Sequence, residues 1–264
     1  MNSHDDELIR FQAEGAHLPA TADHGYVEHD GARIWYACFG SGDAVILLHG
    51  GLGHSGNWSH QVSALIENGY RAIVVDSRGH GRSSRDDRPF TYERMTFDLL
   101  AVMDALNVEK ASLVGWSDGA VVALMLAASH PARVARVFFF ACNMDPSGVR
   151  PNIELTPTVM RCLSRHKQDY ARLSETPDQF DAFSDAVGVM QRTQPNYTAD
   201  DLRTINVPVV IVQSEHDEFI SLEHAEYLAR TIPAASLVVL QNVSHFAPLQ
   251  RPAQFNEAML AFLD

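Results

Sequence analysis

Only three cysteines occur in 264 residues, and none lies in a C-x-x-C pair. Cys38, Cys142 and Cys162 are odd in number and widely spaced. That usage excludes a disulfide framework or a zinc ribbon and predicts reduced thiols in a cytoplasmic protein. Positive charge is scarce as well: 20 Lys and Arg stand against 33 Asp and Glu, a net charge of −13. Non-specific nucleic-acid binding needs a basic footprint, so no nucleic-acid partner is expected, and the acid excess reads as solubility. No apolar run approaches the roughly 18 residues of a membrane helix, so no membrane association is expected. The start, MNSHDDELIRFQAEGAHLPATAD, carries acids where a signal peptide needs a basic segment and an apolar stretch. Internal repeats and low-complexity tracts are absent too.

What is present is an alternation of short apolar runs and amphipathic segments. The length suits one large α/β domain or one domain carrying an insertion, with enough chain to bury a core without metal or disulfides. Residues 1–25 read as a peripheral arm with short helical potential at DDELIRFQAE. YVEHDGARIWYACFG predicts a hairpin turning at Asp30-Gly31. AVILLHG, YRAIVVDSRG, KASLVGWS, VARVFFFAC, VPVVIVQSE and ASLVVLQN read as strands, several of them continuous runs suited to burial on both faces. Between them lie helical patterns, including Trp58–Asn68, stopped by Gly69, and a segment with Tyr92, Met95, Leu99, Val102 and Leu106 on one face. The prediction is a mostly parallel sheet with helices on both faces. Residues 144–203 break the pattern with several prolines, two helix-like stretches and no strand run. They are expected to form a helical cap inserted into a core of 26–143 and 204–264. Met144, Met160 and Met190 could line a pocket beneath it or merely pack.

The chemistry-bearing motif is Gly115-Trp116-Ser117-Asp118-Gly119, a G-x-S-x-G placed between a predicted strand and a predicted helix. That context suits a nucleophile elbow, in which glycines two residues either side of the serine let the chain turn sharply. The pentapeptide alone is weak, since Gly and Ser are common in loops. A serine hydroxyl needs a base, and His245, in the loop after the last strand, is the candidate among 13 histidines. The imidazole needs an orienting acid. Asp217 in VVIVQSEHDEFIS fits best, with Glu215 and Glu218 as rivals by type. The chain order Ser117, Asp217, His245 is that of the α/β hydrolases. An oxyanion needs preorganised donors. The Asp118 N–H supplies one, and the Gly51 N–H in LLHGGLGHSGNW the other, with Leu52 second. Leu52, Trp116 and Asp118 are expected to contact substrate. His49, His54 and His60 lack a carboxylate–His helix pair, so no metal is expected, and His49 is placed beneath the oxyanion loop. GLGHSG lacks the lysine of a phosphate loop.

Four blocks, HGGLGHSGNW, DSRGHGRSS, GWSDGA, and SEHD with the later SHF, resemble the α/β hydrolases with a helical cap over about residues 26–264. The resemblance implies an α/β-hydrolase fold, no cofactor, a mainly structural role for DSRGHGRSS with Asp76 and Arg78 pinning the loop, and no nucleophilic role for Ser83. SEHD departs from the usual glycine-first form at Ser214. Serine at the elbow argues against the dehalogenases and epoxide hydrolases of the fold, which use aspartate. The GWSDG elbow resembles that of hydrolases similar to valacyclovir hydrolase, in which the acid after the serine holds a substrate amine. Asp118 therefore has two readings: it opens a helix and complements its dipole, or its side chain selects cationic substrates. The expected function is a carboxylesterase-like serine hydrolase (EC 3.1.1) cleaving a small-molecule ester or related acyl bond. The alternatives are a carbon–carbon bond hydrolase, lactonase or iminopeptidase with the same triad, or a small-molecule receptor with slow turnover. A homo-oligomer is compatible with the sequence.

Overall fold

The short apolar runs become the strands of a single sheet. In the computed structural model, which describes residues 6–21 and 23–264, the strands are β1 (His24–His29), β2 (Ala32–Phe39), β3 (Ala44–Leu48), β4 (Arg71–Val75), β5 (Ala111–Trp116), β6 (Val134–Phe140), β7 (Val209–Ser214) and β8 (Ala235–Leu240). Among the described residues they form one eight-stranded sheet in the order β1-β2-β4-β3-β5-β6-β7-β8. β1 and β2 pair antiparallel through a turn in which Asp30 and Gly31 both have positive φ, 41° and 78°, the backbone that favours a two-residue hairpin. β2 meets β4 antiparallel, and every later pairing is parallel.

The helices are α1 (Asp6–Glu14), α2 (Ser59–Glu67), α3 (Tyr92–Ala105), α4 (Asp118–Ser129), α5 (Pro157–Leu173), α6 (Phe180–Thr193), α7 (Ala199–Arg203), α8 (Leu222–Thr231), α9 (Ala247–Gln250) and α10 (Pro252–Leu263). The strand runs are apolar throughout because each face has its own cover. Along β3, Ile46 and Leu48 point into one core with Leu99 of α3, Val121 of α4 and Leu228 of α8. Val45 and Leu47 point into the other, with Leu8 of α1, Val62 of α2 and Phe255 of α10. That two-residue alternation is the pleat itself, and each such buried side chain contributes about 1.5–3 kcal/mol.

Three features differ from expectation. The segment expected as a peripheral arm is a docked helix: Leu8 and Phe11, three apart on α1, are buried in the second core with Val159 of α5 and Leu249 of α9. Residues 1–5 and Ala22 of that arm lie outside the described residues. The strand expected from Tyr26 begins at His24. A four-residue helix, α9, follows His245 where a loop was expected. The stretch 144–203, between β6 and β7, holds α5, α6 and α7, and Met144 and Met190 are core residues while Met160 is half exposed. No described helix is long and apolar enough to cross a membrane.

Candidate active site

Ser117 sits at the end of β5 with φ 52° and ψ −122°, a backbone that costs a non-glycine residue of order 1–3 kcal/mol. Its N–H is fixed on the Phe140 carbonyl at 2.9 Å, so the sheet itself holds the strained residue. The flanking glycines serve close approach, since neither has positive φ. A Cβ on Gly115 would lie 2.4 Å from Ala120 Cα, and one on Gly119 would lie 2.1 Å from the Leu48 carbonyl oxygen. The bend is thus carried by Ser117, and the glycines let α4 start directly against β5 and the end of β3.

The loops after β7 and β8 bring an imidazole and two carboxylates to the same edge. His245 Nδ1 is 2.9 Å from Asp217 Oδ2. Asp217 Oδ1 accepts the N–H groups of Phe219 and Ile220 at 2.9 and 2.8 Å, charge-assisted bonds that lock the carboxylate's orientation. Of the rival acids, Glu215 is exposed and accepts the Asn242 N–H. Glu218 is buried and accepts the backbone N–H of His245 at 3.0 Å. Burial opposes the charging of His245, but the Asp217 carboxylate, with Glu218 and Asp118 behind it, outweighs this and raises its pKa above the usual histidine value.

The loop after β3 faces Ser117. Gly50 and Gly51 are followed by Leu52 at φ 62°. As the first residue of α4, Asp118 has an N–H that no intrahelical carbonyl can take. The loop is braced from beneath: the Ser77 N–H donates to His49 Nε2 at 3.0 Å, which leaves Nδ1 to donate to the Gly50 carbonyl at 2.8 Å. Burial pushes the His49 pKa down, so this tautomer is neutral. Asp76 accepts the Ser55 N–H at 2.7 Å and the Arg82 N–H at 2.9 Å, and Ser83 Oγ bonds the Asp76 carbonyl at 2.6 Å. Arg78 is held by both oxygens of buried Asp98 at 2.6 Å. The DSRGHGRSS stretch is scaffolding, and Ser83 is part of it.

These parts open on one cavity of about 480 Å³, with Gly51, Trp116 and Ser117 on the core side, His166 from α5, and Gln191 and Arg192 from α6. Leu52, Trp116, Asp118 and His245 all line it. Trp116 packs its ring against those of Trp58, His245 and Phe246, which makes it a wall of the site. The Asp118 side chain does more than open a helix. Tyr92 Oη donates to its Oδ1 at 2.8 Å, and Gln191 Nε2 sits 3.0 and 3.1 Å from its two oxygens. Burial raises the Asp118 pKa against the pull of those donors.

Sequence reasoning missed Tyr92 as anything but core, and it missed Gln191, His166 and Arg192 altogether. Tyr92 was visible as the first member of an apolar helical face, while the other three lie in the inserted helices without a motif. His49, His54 and His60 do not converge: His54 faces Asp169 of α5 at 3.3 Å, and His60 is on α2. Among the described residues no group of three or more metal-ligand side chains forms.

The profile of the alpha/beta hydrolase family matches residues 45–258. A putative carbamate hydrolase, RutD, from Caulobacter sp. (strain K31) is 29% identical over 242 residues, covering 83% of this chain and 90% of that protein. The human serine hydrolase BPHL is 26% identical over 247 residues, covering 89% and 84%. Among solved structures, Est816, described as an N-acyl homoserine lactone degrading enzyme, superposes with a TM-score of 0.75 at 26% identity, covering 90% of this chain and all of that one.

Proposed function

Because the chain belongs to the alpha/beta hydrolase family and is a hydrolase of that fold, we propose that it cleaves a carboxylic ester or closely related acyl bond of a small molecule through an acyl-enzyme on Ser117. The observation that carries this reading is the His245–Asp217 hydrogen bond at 2.9 Å beside a strained serine lining the same cavity. In the proposed cycle His245 takes the Ser117 proton as Oγ attacks the carbonyl. The N–H groups of Gly51 and Asp118 receive the developing oxyanion. His245 then protonates the leaving alcohol and activates water to release the acid, and Asp217 keeps the imidazole in one tautomer throughout. No step calls on a cofactor. Helices α5 and α6 act as a cap that roofs the pocket and sets specificity.

A fluorophosphonate probe and a panel of p-nitrophenyl esters, lactones and carbamates test the proposal. The expected result is stoichiometric labelling of the wild type, none of Ser117→Ala, and turnover of at least one acyl class. With a vinylogous diketone added to the panel, turnover confined to that carbon–carbon substrate points to the carbon–carbon bond hydrolase, and labelling without turnover of any panel member points to a receptor.

Asp118 supports a narrower reading, in which a cationic group of the substrate displaces the exposed Gln191 amide from the buried carboxylate. Asp118→Asn keeps the shape and removes the charge. If this reading holds, kcat/KM for an L-valine ester falls by roughly 30-fold or more relative to the matching isovalerate (3-methylbutanoate) ester, the scale for losing one partner of a desolvated charge pair. Equal losses on both esters would assign Asp118 to bracing α3, α4 and α6 alone.

A further inference from the structure

We propose that Glu218 is a positioning residue for the Ser117 reaction, one carboxylate oxygen holding the backbone of His245 and the other holding the first turn of the inserted helix α5. The inference rests on the reading of Ser117, Asp217 and His245 given above. Glu218 Oε2 accepts the His245 N–H at 3.0 Å, and Glu218 Oε1 accepts Thr156 Oγ1 at 3.1 Å. The carboxylate is buried, at 8% exposure, so both bonds are made away from competing water.

Thr156 is the residue that starts α5. Its hydroxyl accepts the Val159 N–H at 3.2 Å as the helix N-cap. The five residues before it, 151–155, are all exposed. On their other side, the Arg150 N–H donates to the Phe219 carbonyl at 2.8 Å. An exposed strap is therefore tied at both ends to adjacent residues of the acid loop, Glu218 and Phe219, and Ile153 within it lines the substrate cavity. Asp217 orients the imidazole ring and Glu218 fixes the backbone that carries the ring. The position of the imidazole is thereby coupled to the seating of α5, the helix that brings His166 to the pocket.

Charge adds a second effect. The groups that bear on His245 are Asp217 and Glu218 on its own side and Asp118 on α4. From α5, His166 also faces the cavity, but burial holds it neutral, with a pKa of about 3. Removing the Glu218 charge disfavours the imidazolium, so the pH at which His245 becomes a base moves down.

The rate of fluorophosphonate labelling of the wild-type chain and its variants between pH 5 and 9 tests this without knowledge of the substrate. Glu218→Gln is expected to lower the plateau rate by about 5- to 50-fold and to shift the inflection down by about half a pH unit, with unchanged far-UV circular dichroism. Thr156→Asp keeps a good N-cap but turns a carboxylate toward Glu218. It is expected to slow labelling several-fold, while Thr156→Ser labels like the wild type. A Glu218→Gln protein with wild-type plateau and inflection overturns the proposal, and so does a Thr156→Asp protein with a wild-type plateau. A wild type that resists the probe, or a labelled Ser117→Ala variant, overturns the Ser117 reading and this one together, an outcome distinct from the other two.

Discussion

Ser117→Ala should lower kcat on any ester the protein turns over by about 10⁴-fold or more, and His245→Ala should do nearly the same. In the proposed cycle the serine makes the bond to the acyl carbon, so no neighbouring group would substitute for it. Cys142 lines the same cavity, but burial and the Asp118 charge push its thiol pKa well above the ordinary value, leaving little thiolate to attack in its place. His245 is equally singular, because Asp217 is committed to it and to two backbone N–H groups. The decisive measurement is the double variant. Residues that act as one unit are not additive, so Ser117→Ala with His245→Ala should be no slower than the worse single change. What remains should be the rate supported by binding and the N–H groups of Gly51 and Asp118. Multiplying losses, or a Ser117→Ala variant keeping a tenth of the activity, would remove the acyl-enzyme from the mechanism.

Gly119→Ala should be the most damaging small substitution in the elbow, and it separates close approach from backbone freedom. The new methyl would sit 2.1 Å from the Leu48 carbonyl oxygen and 2.5 Å from its carbon. Those atoms belong to β3, in the middle of the sheet, and cannot rotate aside. Overpacking costs typically 1–3 kcal/mol where side chains give way; against backbone we expect about 3 kcal/mol or more, a fall in Tm of roughly 6–12 °C. Because α4 would have to move, the Asp118 N–H would leave its place and kcat would fall with stability. Gly69→Ala is the control. Gly69 has φ 78° and open space around it, so its alanine variant carries only the left-handed backbone cost of about 1–2 kcal/mol. Thermal melts ranking Gly69→Ala below Gly119→Ala in stability would overturn the steric account.

Much of the architecture was legible because it is local. Runs such as Ala44–Leu48 and Val134–Phe140 announce strands buried on both faces, and Pro252 and Gly69 mark a helix start and a helix end. The elbow was legible because G-x-S-x-G fell between a strand run and a helix run. The contacts that give the site its character were not, because they join residues far apart in sequence. Tyr92 and Gln191 reach Asp118 from 26 residues before it and 73 after it. Thr156 reaches Glu218 across 62 residues. The stretch DDELIRFQAE suggested a short helix, but nothing in the chain said that α5 and α9 would cover its Leu8 and Phe11. Glu218 could be read only as a competitor of Asp217, since its bond to a backbone N–H leaves no trace in residue type.

The His49 imidazole lies beneath the loop after β3, which carries the proposed oxyanion donor Gly51. His49 accepts a proton bond from Ser77 at one nitrogen and donates to Gly50 from the other. Adding a proton would therefore break the Ser77 contact inside a closed core, and burial already disfavours it. The neighbouring His80 is held neutral in the same way, with a pKa of about 3. The support of the Gly51 N–H is thus constant across the pH range in which His245 titrates. On the proposed mechanism, a single inflection in the rate would report the titration of His245 alone, with the geometry of the loop after β3 as a fixed background.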